Sequence, residues 1–194
     1  MVRTRSFDPA TALSVAVDVF ASKGYAETSM EDLVKATGVS RYGLYGTFGN
    51  KRELFEQALE RFAERMGKRS FMRLLEPDAS LDHIRKIFDE RISDISDCDL
   101  NKGCLFIHTA MELAPQDDEL RGVLMKFMKG ISHAFSKGLE SARERGEVRE
   151  DLDIRASAEL LTSTMFGLAV LGRSGFARES LERIAESTLA SISA

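Results

Sequence analysis

Apolar residues recur along nearly the whole chain at intervals of three and four, and sustained apolar–polar alternation is absent. Leu13, Ala16, Val17 and Phe20 fall at i, i+3, i+4 and i+7, the stripe of one helix face. Residues 8–23 are therefore expected to form an amphipathic helix, with Pro9 in its first turn and Gly24 as its stop. Ser29 followed by Asp32 resembles a capping box and opens a short helix through Thr37, with Leu33 and Val34 facing inward. Gly38 sits in a tight turn, and Ser40 caps a third helix reaching Phe48. Asn50 with Glu53 starts a fourth, carrying Leu54, Phe55, Ala58, Leu59 and Phe62 towards Arg69.

After the break at Glu76-Pro77-Asp78 the expected helices lengthen. Ser80 caps one bearing Leu81, Ile84, Ile87, Phe88 and Ile95. Gly103 opens another that ends by Pro115. Leu120, Leu124, Phe127, Ile131, Ala134, Gly138 and Ala142 trace a long helix from near Asp117. Residues 153–171 are apolar on more than one face, and 178–192 carry Leu181, Ile184, Ala185, Thr188, Leu189 and Ile192 in register. The reading is an all-α chain of about nine helices. It divides into three short helices over 1–50, a connecting helix over 51–69, and a C-terminal helical bundle over 70–194.

Composition changes this picture little. A hydrophobic share of 43% and a charged share of 30% describe an ordinary globular chain. Net charge is −4, but unevenly spread: residues 1–70 carry 11 Lys and Arg against 9 Asp and Glu, the remainder 16 against 22. A cationic head on an acidic body suits a nucleic-acid partner. MVRTRSFDPA carries no basic-apolar signal, and Leu160–Gly172 is too short and too interrupted by Thr and Ser to span a bilayer. Two cysteines, Cys98 and Cys104, suit a reducing compartment. A cytoplasmic location without a membrane partner is expected.

The stretch GVSRYGLYGTFGNKRELF, residues 38–55, combines aromatics and cations with four glycines, which cost a helix about 1 kcal/mol each against alanine. Helix stability does not explain it. Two short helices joined by Gly38-Val39 have the form of a helix-turn-helix, whose second helix enters the major groove. Leu44 and Phe48 then anchor that helix and leave Arg41 and Tyr42 to meet base edges, Arg through guanine O6 and N7. Gly43 and Gly46 remove bulk where helix and groove wall approach. Lys51, in the first turn of the next helix, is placed to hold a phosphate together with backbone N–H groups.

Residues 8–62 resemble the N-terminal domain of TetR/AcrR-family transcriptional regulators through Phe20, Gly24-Tyr25, Thr28-Ser29-Met30, Gly38-Val39-Ser40, Leu44-Tyr45, Phe48 and Lys51-Arg52-Glu53-Leu54-Phe55. The resemblance implies a repressor that binds a palindromic operator as a homodimer and is released by a small-molecule effector. It places Thr28, Tyr45, Thr47 and Lys51 on phosphate-contacting positions and Arg41, Tyr42 and Gly43 on base-reading ones, with the capping Ser29 and Ser40 in the same surface. Gly46-Thr47 departs from the family, which commonly has a larger residue followed by His or Tyr; a stacking surface is thereby lost. The family's dimer bundle falls on 153–192, with Leu168, Leu171, Leu181, Ile184 and Leu189 expected at the interface and Gly167, Ala169 and Gly172 allowing close approach.

Cys104 is expected in the first turn of its helix, two residues after Lys102, where the helix N-terminus and a cation favour thiolate. His108, at i+4, shares its face. Gly-Cys-Leu at 103–105 and Glu-Leu-Ala-Pro at 112–115 resemble the electrophile- and oxidant-responsive branch of the family, which implies a sensor thiol. An alternative is a reversible apolar ligand lined by Phe88, Ile92, Met111, Phe127, Met128, Phe135 and Met165. A Cys–His nucleophile is a further alternative, but no orienting acid or oxyanion donors accompany it, so no enzyme activity is expected. Cys98, Cys104, His83, His108 and His133 lack the spacing of a known metal site, and no cofactor is expected.

Overall fold

The computed structural model describes residues 7–96 and 104–194. Cys98, Lys102 and the helix opening at Gly103 fall outside them. Two compact units are present, and they do not follow a single cut of the chain. The first joins the N-terminal stretch through Arg65 to the segment ending at Arg121; the second takes the rest. The segment 104–121, expected in the C-terminal domain, thus folds into the N-terminal unit.

Four helices open the first unit: α1 Pro9–Lys23, α2 Met30–Thr37, α3 Arg41–Phe48 and α4 Lys51–Met66. Each start is fixed by a side chain that satisfies otherwise orphaned backbone N–H groups. Asp8 accepts from Ala10 and Thr11. Ser29 and Asp32 form a reciprocal capping box, and Ser40 accepts from Gly43 N at 3.1 Å. At α4 Asn50 Oδ1 accepts from Arg52 and Glu53 N while Glu53 accepts from Asn50 N at 2.7 Å. Of the stripe read from sequence, Ala16, Val17, Phe20, Leu33, Leu44, Leu54, Phe55, Ala58 and Leu59 are buried, while Leu13, Val34 and Phe62 are half-buried. Phe20 and Phe55 meet edge to face at 5.0 Å. The short α6 Leu105–Glu112 packs on α1, and its Phe106 lies 5.5 Å from Phe62 of α4.

The regular turns of α4 end at Met66, short of Arg69, and the chain loosens through a π turn, Gly67–Phe71, then tightens through a 3-10 turn, Met72–Leu75. The second unit then takes α5 Leu81–Ser96, α7 Asp118–Glu144 with all but its first turn, α8 Ile154–Arg173 and α9 Arg178–Ala190. Their inward faces form one cluster that includes Ile84, Phe88, Ile92, Phe135, Leu161, Met165, Leu168, Leu181 and Leu189. A Cβ at Gly172 would lie 2.1 Å from Ile95 Cγ2; this glycine allows α8 to approach α5 of the same chain rather than a partner. At 20 residues and mean hydropathy 1.3, α8 is long and apolar enough to cross a bilayer by length and composition, contrary to the sequence reading. It packs on α5 and α9, with Leu161, Met165 and Leu168 in the core of the second unit. The C-terminus is pinned by Arg149 N to Ile192 O and Ala194 N to Glu147 O.

Candidate nucleic-acid interface

Local capping leaves α3 with two distinct faces. Leu44 and Phe48 are buried, whereas Tyr42 is 79% and Tyr45 43% exposed, with Arg41 beside them. Gly38, the left-handed residue at φ +69 that ends α2, sets the sharp entry into α3 at no steric cost. Gly46 faces open space, but a Cβ at Gly43 would lie 2.9 Å from Val39 Cγ1 and 3.3 Å from Phe7 Cε1. Gly43 is therefore explained by packing inside the unit. Arg41 pairs with Glu31 of α2. Exposed pairs of this kind contribute about 0–1 kcal/mol, less than the about 1–3 kcal/mol of a bidentate base contact, so this pair is too weak to withhold the guanidinium from such a contact.

Two of the residues expected at the DNA surface, Thr28 and Ser29, are otherwise engaged. Thr28 is 1% exposed and its hydroxyl donates to Gly24 O at 2.6 Å. Ser29 donates to Asp32 Oδ2 at 2.7 Å as part of its cap. Lys23 at 2.6 Å and the Ser29 bonds hold the Asp32 carboxyl well below the usual carboxylate range. Ser40, Thr47 and Tyr45 border the same surface, Thr47 half-buried.

Lys51 at the start of α4 lies with Nζ 4.3 Å from the centroid of the Tyr25 ring, within cation–π range. Partial burial lowers its affinity for a proton, opposed by the carboxylates of Glu112, Asp32 and Glu27. Tyr25 itself packs edge-on against Phe55 at 4.9 Å. Beside it, Glu112 Oε2 accepts from Tyr25 N at 3.0 Å and Ala26 N at 3.3 Å. Arg52 and Asp117 pair at 2.6 Å, which holds the Asp117 carboxyl below its ordinary range, and Asp117 also accepts from Leu120 N at the start of α7. Neither Tyr25 nor Glu112 was singled out from sequence as a functional residue.

The expected effector residues do not come together in one unit. Phe88, Ile92 and Met165 are core residues of the second unit, with Phe127 packed against them. Cys104, His108 and Met111 belong to the first, where Met111 is 77% exposed and so lines no interior ligand site. Cys104 is the N-cap residue of α6, one position before its first turn, and is buried. His108 Nδ1 lies 3.2 Å from Glu112 Oε1; its paired partner is that carboxylate, i+4 along the helix, rather than the Cys104 thiol at i−4. Three of the expected dimer residues, Leu168, Leu181 and Leu189, are buried in the protomer's own core. Leu171 and Ile184 stay half-buried, and Leu160, Val170 and Phe176 are exposed. Leu160, Thr164, Gly167 and Leu171 recur at helical spacing along one side of α8.

A capped helix-turn-helix presenting Arg and Tyr outward on a buried Leu–Phe anchor defines a DNA-binding domain of transcriptional regulators. Residues 12–58 match the family described as bacterial regulatory proteins, tetR family, and residues 80–188 match the tetracyclin repressor-like C-terminal domain. The chain belongs to the TetR family of transcriptional regulators. It is 35% identical over 174 residues to the uncharacterized HTH-type transcriptional regulator YezE of Bacillus subtilis (strain 168), covering 89% of this chain and 90% of that one. It is 29% identical to the HTH-type transcriptional repressor ComR of Escherichia coli (strain K12), covering 96% and 90%. Among solved structures it resembles a cysteine mutant of the TetR-family regulator CifR complexed with 26bp double-strand operator DNA. That match has TM-score 0.83 and 26% identity, covering 98% and 99% of the two chains.

Proposed function

We propose that the protein is a dimeric cytoplasmic repressor that holds a palindromic operator through α3 of each protomer and is released by a small-molecule effector, without enzymatic activity. The outward face of α3, with Arg41, Tyr42 and Tyr45 exposed above buried Leu44 and Phe48, is the observation that carries this reading. Arg41 reads a base, Tyr42 meets a thymine methyl or a phosphate, and Tyr45, Thr47, Ser40 and Lys51 hold the flanking backbone. The named relatives ComR and CifR, a repressor and an operator-bound regulator, support it. Arg41→Ala is expected to cost about 1–3 kcal/mol and to relax preference at one position of each half-site. Binding titrations on operators permuted at that position check this.

Effector control runs through α6, since this helix packs on α1 and holds the α1–α2 turn. It carries the Cys104 thiol at its cap. Mass spectrometry with operator release decides the chemistry. A mass gain on Cys104 after mild electrophile treatment, with release that Cys104→Ser lacks, marks covalent control; release without mass gain marks a reversible ligand.

A further inference from the structure

Glu112 ends a helix whose last turn holds no basic residue. A carboxylate there opposes the helix dipole, so local helix stability does not explain it. Its long-range bonds do. One oxygen accepts from the backbone N–H groups of Tyr25 and Ala26, 87 and 86 residues away in sequence; the other meets His108. The turn is shaped to receive it: Gly24 sits at φ +83, and a Cβ there would lie 2.0 Å from Glu112 Oε1. Any side chain at 24 would expel the carboxylate. The ring of the residue so held, Tyr25, is the platform under Lys51 Nζ.

We propose that Glu112 is a positioning residue for DNA binding: by accepting from Tyr25 and Ala26 it fixes the α1–α2 turn, and through the Tyr25 ring it sets Lys51 in place for phosphate. The proposal rests on the phosphate role given to Lys51 above. Its consequence runs against simple electrostatics. Glu112 is an anion near a DNA-binding cation, so plain charge repulsion requires its removal to tighten binding, whereas positioning requires removal to weaken it.

The test is operator binding across a salt series, on a duplex selected from a random library. Glu112→Ala is expected to bind about tenfold more weakly and to lose about one unit of salt slope per subunit, the same loss expected of Lys51→Ala. The double variant should bind no more weakly than Lys51→Ala alone. Glu112→Gln, which keeps an acceptor oxygen, should stay within about twofold of the native protein. Should Glu112→Ala lose helical content, Glu112→Asp, whose shorter arm withdraws the acceptor, should show the same weakening. Tighter binding by the Ala and Gln variants, equal weakening in both, or native binding by Glu112→Ala beside a weakened Lys51→Ala would overturn the positioning role alone. Native affinity and slope in Lys51→Ala would instead overturn the phosphate role, and this inference with it.

Discussion

Leu168→Glu is expected to unfold the second unit rather than to separate two intact protomers. Leu168 is fully buried in the cluster that α5, α7, α8 and α9 share. Removing the leucine forfeits about 2–3 kcal/mol of apolar burial, and a carboxylate put in its place would sit among the apolar side chains of that cluster. An unpaired buried charge costs at least several kcal/mol more. Together these approach the about 5–15 kcal/mol that holds a typical domain folded. Urea unfolding followed by circular dichroism should show a lost or strongly lowered transition. A native midpoint would mean that Leu168 lies elsewhere than in this core.

Leu160→Glu, eight residues earlier on the same helix, is expected to do the opposite: keep the protomer folded and abolish the dimer. Leu160 is 46% exposed, and the second unit also leaves apolar surface uncovered at exposed Val170 and Phe176 and at half-buried Leu171 and Ile184. Such surfaces mark interaction sites, and a charge at the core of a two-fold interface is introduced twice. Sedimentation should give a folded monomer with native helical content. Operator binding should fall by about 10²–10⁴-fold, the gain that linking two binding modules provides. A stable Leu160→Glu dimer would move the interface off α8.

These two substitutions also show where the sequence stopped being informative. Residues 153–171 are apolar on several sides, so periodicity marks a buried helix but does not tell the side that meets α5 from the side left for a partner. Leu168 and Leu160 look alike until Gly172 is seen against Ile95. Helix starts were legible because caps are local: Ser29 with Asp32, Ser40, and Asn50 with Glu53 all act within three residues. The end of α4 was less so, since the apolar pattern runs on towards Arg69 while Gly67 begins a looser π turn. Arg41, Tyr42 and Lys51 were legible as a motif. The family resemblance puts Thr28 on a phosphate, but its hydroxyl is turned inward to Gly24. Spacing of i+4 puts His108 on the face of Cys104, but the same spacing in the other direction offers a carboxylate, the stronger hydrogen-bond partner. Glu112 joins segments 87 residues apart, which no local period reveals.

The central claim is that the exposed face of α3 reads operator sequence. It is tested most directly by titrating the native protein and Arg41→Ala against a library-selected inverted repeat and a scrambled duplex at fixed salt. The native protein should prefer the repeat by about 10³-fold or more. Arg41→Ala should lose about 1–3 kcal/mol of that preference at one position per half-site while keeping its affinity for scrambled DNA. Unchanged affinities of Arg41→Ala for both duplexes would contradict the account.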